Sequence, residues 1–183
     1  MVEQTNTSEQ IDALFFCNPI LDITQDDQES VLLNKYNLTI GMATLATPEQ
    51  IPIINEIFGM STHTDSLGGS ALNSSRALAY WMNKNGGPGK VMYMGGIGKD
   101  NIGTLMKEKV KAAGVDGNFA ESDDTPTGCC ACVVVGSERT LCVNLGAAKK
   151  YPTSHLEANL VSSTKFGYFS ISNIFLHLLG VPW

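Results

Sequence analysis

A chain of 183 residues, 43% hydrophobic and 16% charged, carries enough apolar content for one domain with a proper core, and is neither disordered nor fibrous in composition. Its net charge of −6, with Arg76 and Arg139 as the only arginines, argues against the clustered basic face that nucleic acid requires. No charged segment followed by an apolar one opens the chain, and the longest apolar stretch, near 171–183, is too short and broken to span a bilayer, so neither a secretory leader nor a membrane anchor is expected.

In chain order, residues 1–12 read as a polar, disordered tail. ALFFC (13–17) predicts a short buried strand, which PILDI (19–23) could extend past Pro19. A helix is expected over 28–36 and a short strand at MATLA (42–46). Pro48 opens a second short helix to about Phe58, with Ile51, Ile54 and Phe58 three or four residues apart. In GGSALNSSRALAYWM (68–82), Gly68 and Gly69 precede a helix running from Ser70 to about Lys84. Ser70 is placed to cap it, Ala71, Leu78 and Met82 form its apolar stripe, and Ser74 and Ser75 permit close packing. NKNGGPGK (83–90) is a loop.

VMYMG (91–95) predicts a buried strand and GGIGKD (95–100) the turn after it. The next helix has Asp100 as N-cap, Gly114 as its stop, and a stripe of Ile102, Met106, Val110 and Ala113. CCACVVV (129–135) and TLCVNL (140–145) form a hairpin around GSER. A helix near 153–161 and a strand at FGYFS (166–170) follow. Strands alternating with helices predict a layered α/β fold with a largely parallel sheet, and the insert at 19–63 with the hairpin predicts a small β-rich flap beside it. The apolar ending SISNIFLHLLGVPW, with no further βα unit, reads as a truncation that diverges after about Ser170.

Several chemical readings fail on spacing. A dinucleotide fingerprint starting at Gly96 needs its third glycine at 101, where Asn101 stands, and no Walker-type phosphate loop is present. Cys129, Cys130 and Cys132 have no histidine near them, and on a strand Cys129 faces opposite to Cys130 and Cys132, so they read as reduced core thiols rather than zinc ligands. His63, His155 and His177 are isolated and carry no catalytic role. Others survive. Arg139, Leu141, Val143 and Leu145 share one strand face, with about 13 Å from Arg139 to Val143. That is a platform for a flat base with a cation at one end, or equally an ordinary surface arginine beside a turn. Asn18 and Asp22 flank Ile20 with the same parity, which suits sugar hydroxyls as well as it suits turn or cap roles. Gly68 and Gly69 can admit a ligand to the main chain at a helix start, or simply turn the chain tightly.

Taken together, CNPILDI (17–23), GGSALN (68–73), GGIGKD (95–100), PTG (126–128) and ERTLCVNLGAA (138–148) resemble, in order and spacing, the adenosine kinases of the ribokinase-like (PfkB) carbohydrate kinase family. The resemblance covers residues 13–170 and implies part of a ribokinase-like α/β domain, with lid segments near 19–67 and 127–148 and an apolar, divergent tail at 171–183. It implies transfer of phosphate from ATP with Mg2+ to the 5′-hydroxyl of adenosine, giving AMP for purine salvage, in a cytoplasmic (or also nuclear) monomer without nucleic-acid or membrane partners. Asn18 and Asp22 would bind ribose hydroxyls, Gly68, Gly69 and Asn73 would add ribose contacts, and Ser70 would sit near the base edge. Leu141 and Val143 would line the adenine slot, and Arg139 would stabilise the transferred phosphate. No metal ligands are expected among these residues. Ala43 stands where some relatives place a glutamine for the base, and the family's G-A-G-D motif, whose aspartate deprotonates the 5′-hydroxyl, is missing from these 183 residues. The expectation is therefore a nucleoside-binding half that is inactive alone. A non-catalytic nucleoside-binding protein and a sugar kinase of the same fold are the competing readings.

Overall fold

The computed structural model describes residues 11–87, 89–155 and 165–169. Two sheets organise them. In the first, β1 (Ala13–Phe16) pairs in parallel with β5 (Val91–Gly98) on one side and β9 (Phe166–Phe169) on the other, and β6 (Asp116–Ser122) lies beyond β5. β1 and β5 are buried along their whole length, as unbroken apolar runs in a parallel sheet covered on both faces must be. Helices α3 (Ser70–Lys84) and α4 (Asn101–Ala112) bring Leu72, Ala79, Met106 and Val110 into one cluster with Ala13, Phe15, Val91 and Tyr93. On the other face Leu14, Phe16, Met92 and Met94 form a second cluster with Tyr151 against it.

The second sheet has the order β3 (Ala43–Leu45), β8 (Glu138–Asn144), β7 (Cys129–Val135), β2 (Ile20–Asp26), β4 (Thr64–Gly68). β2–β7 and β3–β8 are parallel, whereas β2–β4 and the hairpin β7–β8 are antiparallel. Helices α1 (Val31–Lys35) and α2 (Pro52–Phe58) back this sheet, with Leu32, Leu33, Ile53 and Ile57 packed among Leu21, Ile23, Ala131, Val133 and Cys142. The start of α1 is held by the Asp27 carboxylate, which accepts from the Val31 and Leu32 amides at 3.0 and 2.8 Å.

Several expectations need correction. PILDI does not extend β1: the chain turns at Asn18-Pro19 and crosses to the second sheet, where β2 pairs with β7. The second helix starts at Pro52, not Pro48, because a helix begun at Pro48 would carry Pro52 in its interior, with its ring against the carbonyl four residues back. Its buried residues are accordingly Ile53, Ile54 and Ile57, while Ile51 is exposed. Gly69, not Ser70, holds the cap position of α3. β5 runs on through GGIG to Gly98. Strands β4 and β6 carry too little apolar alternation to be foreseen. Ile11 and Asp12, read as part of the tail, are packed: Ile11 is buried and Asp12 pairs with Lys165 at 2.7 Å. A helical turn begins at 153, but the rest of the helix expected to 161, like Ser170, the tail at 171–183 and residues 1–10, lies outside the described residues.

Candidate nucleoside site

Strand register assembles one face of the second sheet. Asp22 stands opposite Cys130 on β7 and Ser66 on β4, and Cys130 in turn stands opposite Val143 on β8. Cys132 faces Leu141, Leu141 faces Ala43, and Val143 faces Leu45. Ile20, Cys130 and Leu145 form a small apolar cluster, with Leu141 and Val143 half-buried against it. The opposite face of this sheet is sealed by α1 and α2. This one is only partly exposed: Leu45 is 48% exposed and Asp22, Leu141 and Val143 are half-buried, while Ile20, Cys130, Cys132 and Leu145 are buried. Arg139 lies on the same face, opposite Val134 and beside the hairpin turn, with its side chain in solvent. The parity expected for Arg139, Leu141, Val143 and Leu145 is thus realised as one continuous wall.

At the edge of this wall the two sheets meet. Asn18 is buried in the turn between β1 and β2, and its carbonyl oxygen would lie 2.7 Å from a Cβ on Gly69. Gly69 has φ of 96°, a left-handed value that glycine takes without strain. A Cβ on Gly68 would lie 2.6 Å from Asp22 Oδ1 and closer still to Oδ2. The Gly-Gly pair is therefore set by the approach of Asn18 and Asp22, and these four residues converge on one spot beside the start of α3.

Asp22 is the electrostatic centre of the site. Burial raises its carboxyl above the usual range, and among the described residues no cation or hydrogen-bond donor pairs with it. Its charge adds to burial in pushing the neighbouring thiols up, Cys129 to about 12 and Cys130 beyond that. A half-buried carboxylate without a donor favours a ligand that brings hydroxyl donors.

The remaining site candidates are spread wider. Ser70 is the first residue of α3, and its carbonyl accepts from Ser74 Oγ at 3.0 Å. One turn on, the Asn73 amide donates to Gly69 O at 2.9 Å, and its exposed carboxamide accepts from Arg76 at 3.0 Å. Asn73 and Arg76 line an outer groove of about 650 Å³ between α3 and the end of α4. Asp100 and Thr127, to which sequence reasoning gave no place in the site, line a separate cavity with Ile54, Phe58 and Asn144. The P-T-G just before β7 was the available signal. Among the described residues no three His, Cys, Asp or Glu side chains converge as metal ligands, and no helix is long and apolar enough to cross a membrane.

Comparison with known proteins gives this geometry a context. The profile of the pfkB family carbohydrate kinases matches residues 35–182. Adenosine kinase 2 of Arabidopsis thaliana is 38% identical over 159 residues, which cover 84% of this chain and 44% of the plant protein. The apo structure of Trypanosoma brucei brucei adenosine kinase superposes with a TM-score of 0.77 at 31% identity, covering 88% of this chain and 50% of that one. Adenosine kinase from Schistosoma mansoni, solved in complex with adenosine, gives a TM-score of 0.70 at 27% identity and covers 87% and 46% respectively. The chain spans about half the length of these relatives, and its layered α/β arrangement is the one they share.

Proposed function

The chain belongs to the pfkB family of carbohydrate kinases, and from that premise we propose that it is the nucleoside-binding part of an adenosine kinase. The whole reaction moves the γ-phosphoryl group of ATP, with Mg2+, to the 5′-hydroxyl of adenosine, yielding AMP and ADP in a cytoplasmic monomer. Among the described residues no three His, Cys, Asp or Glu side chains converge to hold the ion.

This chain's own residues bind and orient. The Asp22 carboxylate accepts from the vicinal 2′- and 3′-hydroxyls of ribose, and Asn18 and the Gly68–Gly69 backbone close around the sugar. Ser70 and Asn73 add polar contacts from the first turn of α3. Leu141 and Val143 give the adenine ring an apolar wall, so base and sugar are held on one surface in one orientation. Positioning of this kind carries much of the rate in phosphoryl transfer, since the chemistry needs the acceptor oxygen in line with the donor phosphorus. Arg139, a permanent cation at the far end of the wall, stabilises charge on the phosphoryl group.

The observation that carries this reading is Asp22: a half-buried carboxylate with no donor among the described residues, on a partly exposed apolar face, beside a turn whose glycines it and Asn18 require. Calorimetric titration of the chain with adenosine and with 2′,3′-dideoxyadenosine tests it. Adenosine binds, and the analogue loses on the order of ten-fold or more in affinity, the value of hydrogen bonds to a charged acceptor. Equal binding of the two, or displacement of adenosine by free ribose, overturns the assignment.

A further inference from the structure

Four segments cross between the two sheets, at 17–19, 68–69, 123–128 and 145–146. They are packed against one another: Leu21 N donates to Gly128 O at 3.0 Å, Ala147 N donates to Pro126 O at 2.8 Å, and a Cβ on Gly128 would lie 2.8 Å from Leu145 O. At the third crossing a single carboxylate takes three donors. Asp100 Oδ1 accepts from Gly103 N at 2.7 Å and from Thr127 Oγ1 at 2.7 Å, and Oδ2 accepts from Thr127 N at 2.8 Å. Thr127 is 2% exposed, and its hydroxyl also lies 2.9 Å from Gly98 N and 3.3 Å from Gly98 O. A hydroxyl has one proton, so the shorter contact decides: Thr127 Oγ1 donates to Asp100 and accepts from Gly98 N.

Capping α4 needs only the bond from Gly103 N, which a serine could accept as well. The other two bonds fasten Thr127, two residues before β7, to the body at the end of β5. β7 carries Cys130 opposite both Asp22 and Val143, so the place where β7 leaves the body governs where the Asp22 wall stands relative to Asn18 and Gly69. We propose that Asp100 is a positioning residue that, through Thr127, sets the orientation of the second sheet over the first and thereby the affinity of the site on it. The affinity half of this inference rests on the nucleoside reading above. The orientation half does not.

Residual dipolar couplings of backbone amides in β5–β6 and β7–β8 of the 183-residue chain measure that orientation directly, alongside adenosine titration. Asp100→Ser keeps the helix cap and loses the latch, Thr127→Val removes the hydroxyl at nearly constant shape, and Thr127→Ser restores it. One alignment tensor fits both sheets in the parent chain and in Thr127→Ser. In Thr127→Val and Asp100→Ser the second sheet needs its own, weaker tensor, and adenosine affinity falls on the order of ten-fold. A shared tensor in both variants overturns the proposal, and so does a lost shared tensor with affinity unchanged. Should Asp100→Ser fail to fold, the Thr127→Val and Thr127→Ser pair decides. Should the parent chain bind no adenosine, the nucleoside reading fails, and the tensors alone decide whether Asp100 sets the orientation.

Discussion

Gly68 and Asp22 meet across β4 and β2 so closely that a methyl group on the Gly68 Cα would stand 2.6 Å from Asp22 Oδ1. The carboxylate cannot keep its place if that position acquires a side chain. Gly68→Ala therefore displaces Asp22, at about 1–3 kcal/mol for overpacking, and reduces adenosine binding by more than its stability loss predicts. Denaturant melts beside titrations separate the two effects. Undiminished adenosine binding by the folded variant would show that the carboxylate's position is unimportant.

Gly69→Ala acts differently. At φ of 96° an alanine is strained, and its Cβ meets the Asn18 carbonyl at 2.7 Å. A stability loss of about 1–3 kcal/mol is expected from the backbone alone, read as a drop in Tm.

Asp22→Asn removes the charge while keeping the shape. Burial raises the Asp22 carboxyl above its ordinary value of 3.8, so the folded chain holds that proton more tightly than the unfolded chain does. Its contribution to stability therefore declines as pH rises through the window between the ordinary and the raised value, and the penalty persists at neutral pH. The asparagine variant is expected to melt no lower than the parent at pH 7, yet to bind adenosine far more weakly. Parent affinity falls as the pH drops through the raised value, where the carboxylate is protonated and stops accepting from both hydroxyls. A pH series of titrations checks both statements, and an affinity flat down to the ordinary carboxylate range would contradict them.

Arg139 stands in solvent at the end of the wall. Arg139→Ala should change stability by no more than about 0.5 kcal/mol, as surface substitutions do, and leave adenosine affinity intact. In an enzyme reconstituted to catalyse the whole reaction, the same change lowers kcat and leaves the KM for adenosine nearly unchanged. A loss of adenosine binding would move Arg139 from the phosphate to the nucleoside.

All five cysteines are buried and unbridged. Burial pushes the Cys129 thiol to about 12 and raises Cys130 and Cys142 as well, so thiolate is scarce at neutral pH. Mass spectrometry after iodoacetamide at pH 7.5 is expected to show negligible labelling of Cys129, Cys130 and Cys142 in the native chain and full labelling in denaturant. Fast native alkylation of Cys130 would mean that the Asp22 wall opens readily.

Much of this protein is legible locally. The span of α3, the Asp100 cap, the Gly114 stop of α4 and the common face of Leu141 and Val143 follow from capping chemistry and from helical and strand periods, which act over a few residues. The adenosine kinase motifs are legible for the same reason, as short strings in a fixed order. Edge strands β4 (TDSLG) and β6 (DGNFAES) were not, because their pairing is supplied by the backbones of β2 and β5 rather than by apolar alternation of their own. The second helix showed one local rule overriding another, with Pro52 moving a start that Pro48 had suggested. Whether PILDI continues β1 or crosses to a new sheet is likewise invisible in five residues. Asp22 next to Gly68, Asp22 beside Cys130 and Thr127 on Asp100 are contacts between distant parts of the chain. Register and sheet packing bring those atoms within reach, because hydrogen bonds and steric exclusion act only over a few ångströms in space, whatever the separation in sequence.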